Sequence, residues 1–191
     1  MVPFVGLTGG IGAGKSTALA ALERLGAAVL STDAVVHELY ESDDVRDAVV
    51  ERFGARVAPG GVVNRGELAK VAFATPEDRA WLEGLLWPRV GQRIASFREA
   101  ATDAPAAVIE IPLLFESGMD HGFDATIAVI ADEAVRAQRA GARGHHALAE
   151  RSARQLSQAE KSQRATYTVV NDGSEDQLEA KLSSILGMLD R

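Results

Sequence analysis

Gly9-Gly10-Ile11-Gly12-Ala13-Gly14-Lys15-Ser16 sets a lysine and a hydroxyl directly behind a glycine-rich stretch. It fits the pattern G-x-x-x-x-G-K-[ST] at every fixed position. Glycines such as Gly9, Gly10, Gly12 and Gly14 allow backbone angles that turn successive N–H groups inward onto a polyanion. A helix beginning at Lys15 would add its unpaired amides and the positive end of its dipole. Lys15 is then expected to reach the β- and γ-phosphates, Ser16 to ligate magnesium through its hydroxyl, and Thr17 to supplement the phosphate contacts. The residues Gly9, Gly10, Gly12, Ala13, Gly14, Lys15, Ser16 and Thr17 therefore form a candidate nucleotide-binding loop, with ATP and Mg2+ as the expected ligands.

Two further groups extend binding toward phosphoryl transfer. Asp33 follows the next apolar run, Ala27 to Leu30. In an open parallel sheet the carboxyl ends of the strands are where ligands bind. A carboxylate there can orient an acceptor hydroxyl and take its proton. Asp33 also precedes Val35, Val36 and Leu39, so it can cap a helix, and capping and catalysis are compatible at a helix start. Farther on, Arg136, Arg139 and Arg143 can share one side of a helix, where they would bring positive charge to a transferring phosphoryl group. A solvated helical face is the alternative for such a charge run.

The elements that must position these groups can be read from periodicity. Val2 to Leu7 reads as a buried strand, Lys15 to Leu25 as a helix stopped by Gly26, and Ala27 to Leu30 as a second strand. Together they make a βαβ unit. Residues 33 to about 101 read as mostly helical, with a turn at Pro59-Gly60-Gly61, a helix from near Asn64, and a longer one after Thr75-Pro76-Glu77-Asp78. This long stretch between strands reads as an inserted helical subdomain. Ala106 to Ile111, Ala125 to Ala131 and Tyr167 to Val170 read as strands. Residues 132 to about 165 read as helical with a break at Gly141–Gly144. Leu178, Leu182, Ile185, Leu186 and Leu189 form one stripe on a closing helix.

Composition narrows the classes. The chain has 191 residues, enough for one compact core with a modest insertion. The net charge of −7 argues against a broad nucleic-acid or anionic-membrane surface. There is no cysteine, which removes disulfides, thiolate nucleophiles and Cys-zinc sites. The N-terminal apolar run is too short for a signal peptide or a membrane span. A cytoplasmic location is expected, with no nucleic acid, membrane or protein partner implied. No Asn-Lys-x-Asp guanine-reading segment is present.

Taken with their order along the chain, these residues resemble the bacterial dephospho-coenzyme A kinase family. Leu7 to Thr17 is similar to that family's phosphate loop, and Asp33-Ala34-Val35-Val36-His37-Glu38-Leu39 to its Asp-Ala-x-x-His-x-Leu segment. Phe53-Gly54, Arg65-Gly66-Glu67-Leu68, Val71-Ala72-Phe73 and Leu85-Leu86-Trp87-Pro88 resemble further family segments. Ile111-Pro112-Leu113-Leu114-Phe115-Glu116 matches its Pro-Leu-Leu-Phe-Glu stretch, and Arg139, Arg143, Arg151 and Gln155 fall where its lid carries Arg and Gln. Asn171-Asp172-Gly173 resembles the Asn-x-Gly that ends the last strand near the adenine, which adds Asn171 to the nucleotide-binding residues. The resemblance runs from about residue 2 to 175.

It implies an α/β fold: a three-layer P-loop kinase core with a parallel five-stranded sheet, a helical acceptor-binding insertion and a lid. The core would comprise residues 1–32, 101–134 and 166–191, the acceptor region 33–100, and the lid 135–165. The implied reaction is ATP-dependent phosphorylation of the ribose 3′-hydroxyl of dephospho-coenzyme A, the last step of coenzyme A synthesis. Asp33 would be its base, with Lys15, Arg139 and Arg143 as the other catalytic groups. Another small-molecule kinase of nucleoside, nucleotide or gluconate type stays open, as does a non-catalytic nucleotide-dependent switch.

Three positions depart from the family pattern. Trp87 replaces a usual His, which would alter acceptor binding. Thr166 replaces a usual Asp, which would weaken a structural contact. Glu110 puts an acid at the end of an apolar strand, where it could stand behind magnesium. His37, His121, His145 and His146 show no metal-ligand spacing.

Overall fold

A computed structural model describes residues 1–141 and 155–189. Five strands form one sheet: β1 (Phe4–Gly9), β2 (Ala28–Ser31), β3 (Ala107–Glu110), β4 (Ala125–Ile130) and β5 (Tyr167–Val170). Their spatial order is β2-β3-β1-β4-β5, and every neighbouring pair is parallel. Among the described residues there are eight α-helices. These are α1 (Lys15–Arg24), α2 (Thr32–Glu41), α3 (Asp43–Phe53), α4 (Arg65–Ala72), α5 (Pro76–Ala100), α6 (Glu133–Gly141), α7 (Gln158–Arg164) and α8 (Glu175–Leu189).

The chain divides into two compact units, one of residues 1–31 with 98–191 and one of residues 32–97. In the first, the two faces of the sheet are set by the alternation along β1. Val5 and Leu7 point into the main core with Val108, Ile127, Val129 and Val169, where Ala18, Leu19 and Leu22 of α1 and Leu178, Leu182 and Ile185 of α8 cover them. Phe4, Gly6 and Thr8 face the other way. Phe4 stacks on Phe123, with ring centroids 4.6 Å apart. A Cβ at Gly6 would come within 2.8 Å of Leu114 Cδ2. Thr8 Oγ1 accepts from the ammonium of Lys161 on α7 at 3.3 Å.

β1 begins and ends two residues later than the apolar run predicts. The ladder continues because Thr8 and Gly9 pair with Ala128 and Val129 of β4. The glycine stretch thus starts inside the sheet, and the phosphate loop proper hangs from a strand end paired with β4. In the stretch read as helical from 132 to 165, α6 ends at Gly141, where the expected break at Gly141–Gly144 begins, but residues 155–157 are also non-helical before α7. Ser157 stops any continuation by capping α7. Its hydroxyl accepts from the Glu160 amide at 3.2 Å, and Glu160 returns a carboxylate to the Ser157 amide at 2.9 Å.

The second unit is built on an aliphatic cluster. Val45 and Val49 of α3, Leu68 and Ala72 of α4, and Leu82 and Leu86 of α5 are buried together with Val57 and Val63. Two of its helices, α4 and α5, start at side-chain caps that the sequence shows. Asn64 Oδ1 accepts from the Gly66 and Glu67 amides at 3.0 and 3.1 Å. Thr75 Oγ1 accepts from the Asp78 amide at 3.1 Å, ahead of Pro76 at the first helical position. Pro88 lies inside α5.

Candidate active site

The glycine loop joins β1 to α1 at the carboxyl edge of the sheet. Gly14 caps α1 with φ +91°, a conformation that side chains rarely adopt. A Cβ there would also collide with Asn171 Nδ2, which donates to the Ala13 carbonyl at 2.9 Å. Gly9 is required for a different reason, since any Cβ would run into the Val129 carbonyl of β4. No side chain caps the first turn of α1. Its leading amides are therefore directed at the loop, the arrangement that suits an anion. Lys15 Nζ donates to the Gly10 carbonyl at 3.3 Å, and so folds back over the loop. Ser16 is exposed on the same first turn, and Thr17 is half-buried.

Two arginines of α6 close on this loop from β4. Arg136 Nε donates to the Ile11 carbonyl at 2.9 Å, and Arg139 Nη1 donates to the Asn171 carbonyl at 3.0 Å. Each contact uses one of the five N–H donors of a guanidinium. The first carbonyl lies in the glycine loop and the second in Asn171, whose side chain holds Ala13 of that loop, so Arg136 and Arg139 bring positive charge to the loop edge. α6 is itself fixed at its start. Asp132 Oδ1 accepts from the Ala134 amide at 2.8 Å, and Asp172 Oδ1 accepts from the Asp132 amide at 2.6 Å.

Gly9, Gly10, Gly12, Ala13, Gly14, Lys15, Ser16, Thr17, Arg139 and Asn171 thus belong to one edge of the first unit. Asp33 belongs to the second unit, where it is the exposed second residue of α2, directly after β2 in the chain. Arg143, Arg151, His145 and His146 lie outside the described residues. Gln155 is half-buried just before α7. His37 is exposed, 3.8 Å from Glu41 on the same helix, and His121 is exposed in a short 3-10 turn.

Lys161 escaped the sequence reading. It is fully buried, and its Nζ donates to the Pro112 carbonyl at 2.8 Å while pairing with Glu116 Oε1 at 2.9 Å. Burial pushes its ammonium below the usual lysine range, against the pull of the Glu116 carboxylate. The signal available was faint: one lysine in a polar helix, forty-five residues from its partner. Thr166 and Thr126 clasp each other, each hydroxyl accepting the other's amide at 3.0 Å, so β4 and the approach to β5 are joined without the usual Asp. Glu110 is buried at the end of β3, and Trp87 is exposed on α5.

Among the described residues no group of three His, Cys, Asp or Glu side chains stands together as a metal site. Ser16 offers a neutral, solvent-facing oxygen, a donor that fits magnesium keeping most of its shell in water and phosphate oxygens. A surface groove of about 570 Å³, lined by Leu25, Pro105, Ser183 and Leu186, opens at the opposite end of α1 from the phosphate loop. No helix among the described residues is long and apolar enough to cross a membrane.

A parallel five-stranded sheet with a glycine loop leading into a lysine-headed helix defines a P-loop kinase fold. Residues 3–177 match the dephospho-CoA kinase family, and the chain belongs to that family. It is 39% identical to a dephospho-CoA kinase of Deinococcus radiodurans, over 97% of this chain and 92% of the relative. A Thermus thermophilus protein of known crystal structure superposes with a TM-score of 0.82 at 33% identity, over 98% of each chain. A dephospho-CoA kinase of Campylobacter jejuni shares the fold at 19% identity, with a TM-score of 0.64 over 98% of this chain and 97% of its own.

Proposed function

We propose that this chain transfers the γ-phosphoryl group of ATP to the ribose 3′-hydroxyl of dephospho-coenzyme A, giving coenzyme A and ADP. The observation that carries this reading is a near-full-length family match on a chain whose phosphate loop is intact at every fixed position. Family membership weighs against the other acceptor classes and against a non-catalytic switch.

The chemistry needs in-line positioning and charge neutralisation more than covalent help. Backbone amides from Gly9 to Thr17 cradle the triphosphate, and Lys15 leaves the Gly10 carbonyl for the β- and γ-phosphate oxygens. Arg139 and Arg136 offer the remaining donors of their guanidinium forks to the same charge. Magnesium, held through phosphate oxygens and the Ser16 hydroxyl, would supply further neutralisation. Asp33 takes the proton of the acceptor hydroxyl, an assignment that rests on its place directly after β2. Arg143 is assigned to the same lid as Arg139 by its place in the sequence. We assign the helical region 33–100 to the acceptor, residues 135–165 to the lid, and the remainder to the nucleotide core. The cysteine-free sequence suits a reducing cytoplasm, where we place the reaction.

The deciding assay is ADP release from Mg-ATP by the purified protein, with dephospho-coenzyme A, adenosine or gluconate as acceptor. Stimulation by dephospho-coenzyme A alone, with a product heavier by one phosphate, is the expected result. Stimulation by a control acceptor instead would remove the substrate assignment, and none by any acceptor would remove the kinase reading.

A further inference from the structure

We propose that Lys161 is a positioning residue for the phosphate loop, acting through Thr8 to hold Gly9 and Gly10 in the register that accepts ATP. This rests on the ATP-dependent reading above. Lys161 is fully buried, so it acts through its neighbours rather than on a ligand. Its three N–H donors meet three acceptors from three places: Thr8 Oγ1 at 3.3 Å, the Pro112 carbonyl at 2.8 Å, and the Glu116 carboxylate. Thr8 immediately precedes the two glycines, and its hydroxyl donates in turn to the Pro112 carbonyl at 3.2 Å.

The same short segment grips the next strand as well. Glu116 Oε1 accepts from the Leu156 amide at 2.7 Å. The carboxamide of Gln158, three residues before Lys161, exchanges two 2.9 Å hydrogen bonds with the backbone of Ala131, just past β4. Its Cγ would sit 3.4 Å from a Cβ at Gly10. Residues 156–161 therefore strap the carboxyl ends of β3, β1 and β4, three adjacent strands, at the point where the loop leaves β1.

A buried ion pair is a poor device for stability alone, because desolvation offsets most of its attraction and an apolar pair often does as well. The lowered pKa of Lys161 records that desolvation. A glycine-rich loop has few side chains with which to fix itself, so it depends on anchors from outside, as Arg136 is to Ile11 and Asn171 to Ala13. The Lys161–Glu116 pair supplies one where the loop begins.

The test compares Lys161→Met, Glu116→Gln, the double variant carrying both, and Thr8→Val. ATP affinity is measured directly by calorimetry with Mg-ATP, beside KM for ATP, KM for dephospho-coenzyme A, and Tm. Each single charge variant strands a partner and lowers Tm. The double variant strands none, so it regains Tm. It is nevertheless expected to bind ATP about tenfold more weakly, with KM for dephospho-coenzyme A unchanged. Thr8→Val keeps both charges and is expected to weaken ATP binding in the same sense. Recovery of both Tm and ATP affinity in the double variant would overturn the proposal, as would unaltered ATP affinity in Thr8→Val. Failure of the unsubstituted protein to bind ATP would overturn the functional reading itself, and this inference with it.

Discussion

The loop edge of the sheet and the helical unit of residues 32–97 handle charge differently. At the loop edge, cationic side chains turn inward and end on backbone carbonyls: Lys15 on Gly10, Arg136 on Ile11, Arg139 on Asn171, and Lys161 on Pro112 as well as on the Glu116 carboxylate. In the helical unit they pair with carboxylates on the surface, as Arg52 with Asp78, Arg89 with Asp44, and Arg93 with Glu38. The core beneath those pairs is aliphatic. The cations of the first region shape a backbone suited to phosphate, whereas the paired cations of the second hold helices together and in solution. Substitutions in the first should therefore change binding and rate, and those in the second should change stability.

The largest effect tests the first half of that contrast. Lys15→Ala removes the charge beside the transferring group while leaving the sheet intact. We expect kcat/KM to fall about a thousandfold with little change in Tm. A steady-state assay beside a thermal melt measures both. Comparable activity in the variant would mean that the inward-turned lysine is structural.

Next in size is the converse test. Leu82 is 4% exposed in the aliphatic cluster. Leu82→Ala should cost about 3 kcal/mol of stability through lost transfer energy and a residual cavity. The affinity for Mg-ATP, measured well below the melting temperature, should stay within about twofold of the parent. A large loss of ATP affinity would break the comparison, because it would make the helical core part of the nucleotide site.

How far the two regions could be read beforehand follows the same division. The loop was legible because phosphate binding dictates residue types at fixed spacings, and Gly9 and Gly14 prove to be sites where a side chain would collide with Val129 or Asn171. The helical unit was legible through its caps at Asn64 and Thr75 and its periodic apolar positions. Long-range polar contacts were not. Nothing local marks Lys161 as buried, since its neighbours in α7 are polar and its partners lie at Thr8, Pro112 and Glu116. The Ser157–Glu160 capping box was visible in the sequence, yet a run of helix formers carried the reading through it. Thr166 looked like a lost contact because its partnership with Thr126 spans forty residues.

Asp33 is the residue best able to break the contrast, since it is an exposed side chain of the helical unit to which we give a chemical role. Asp33→Asn should lower kcat about a hundredfold while ATP affinity and Tm stay near the parent values. Single-turnover rates with saturating Mg-ATP and dephospho-coenzyme A isolate the step. A variant with parental kcat would return Asp33 to the surface class, leaving it as a helix-start acid only.

The smallest effect concerns the surface pairs themselves. Asp78 is held below the ordinary carboxylate range, first by its hydrogen bond from Arg52 and then by that from Thr75. Because the folded pKa is the lower one, the pair's contribution is present in full above the unfolded value of 3.8 and is lost as pH falls through the folded pKa. The effect should therefore appear only on the acid side, as a steeper fall of Tm in the parent than in Asp78→Asn. At neutral pH and physiological salt the substitution should change Tm and ATP affinity very little, since exposed pairs are screened and offset by side-chain entropy. If the two proteins kept a constant Tm difference down to acid pH, the loss would lie in the capping role of Asp78 at Thr75, and the surface charges would contribute less than their geometry suggests.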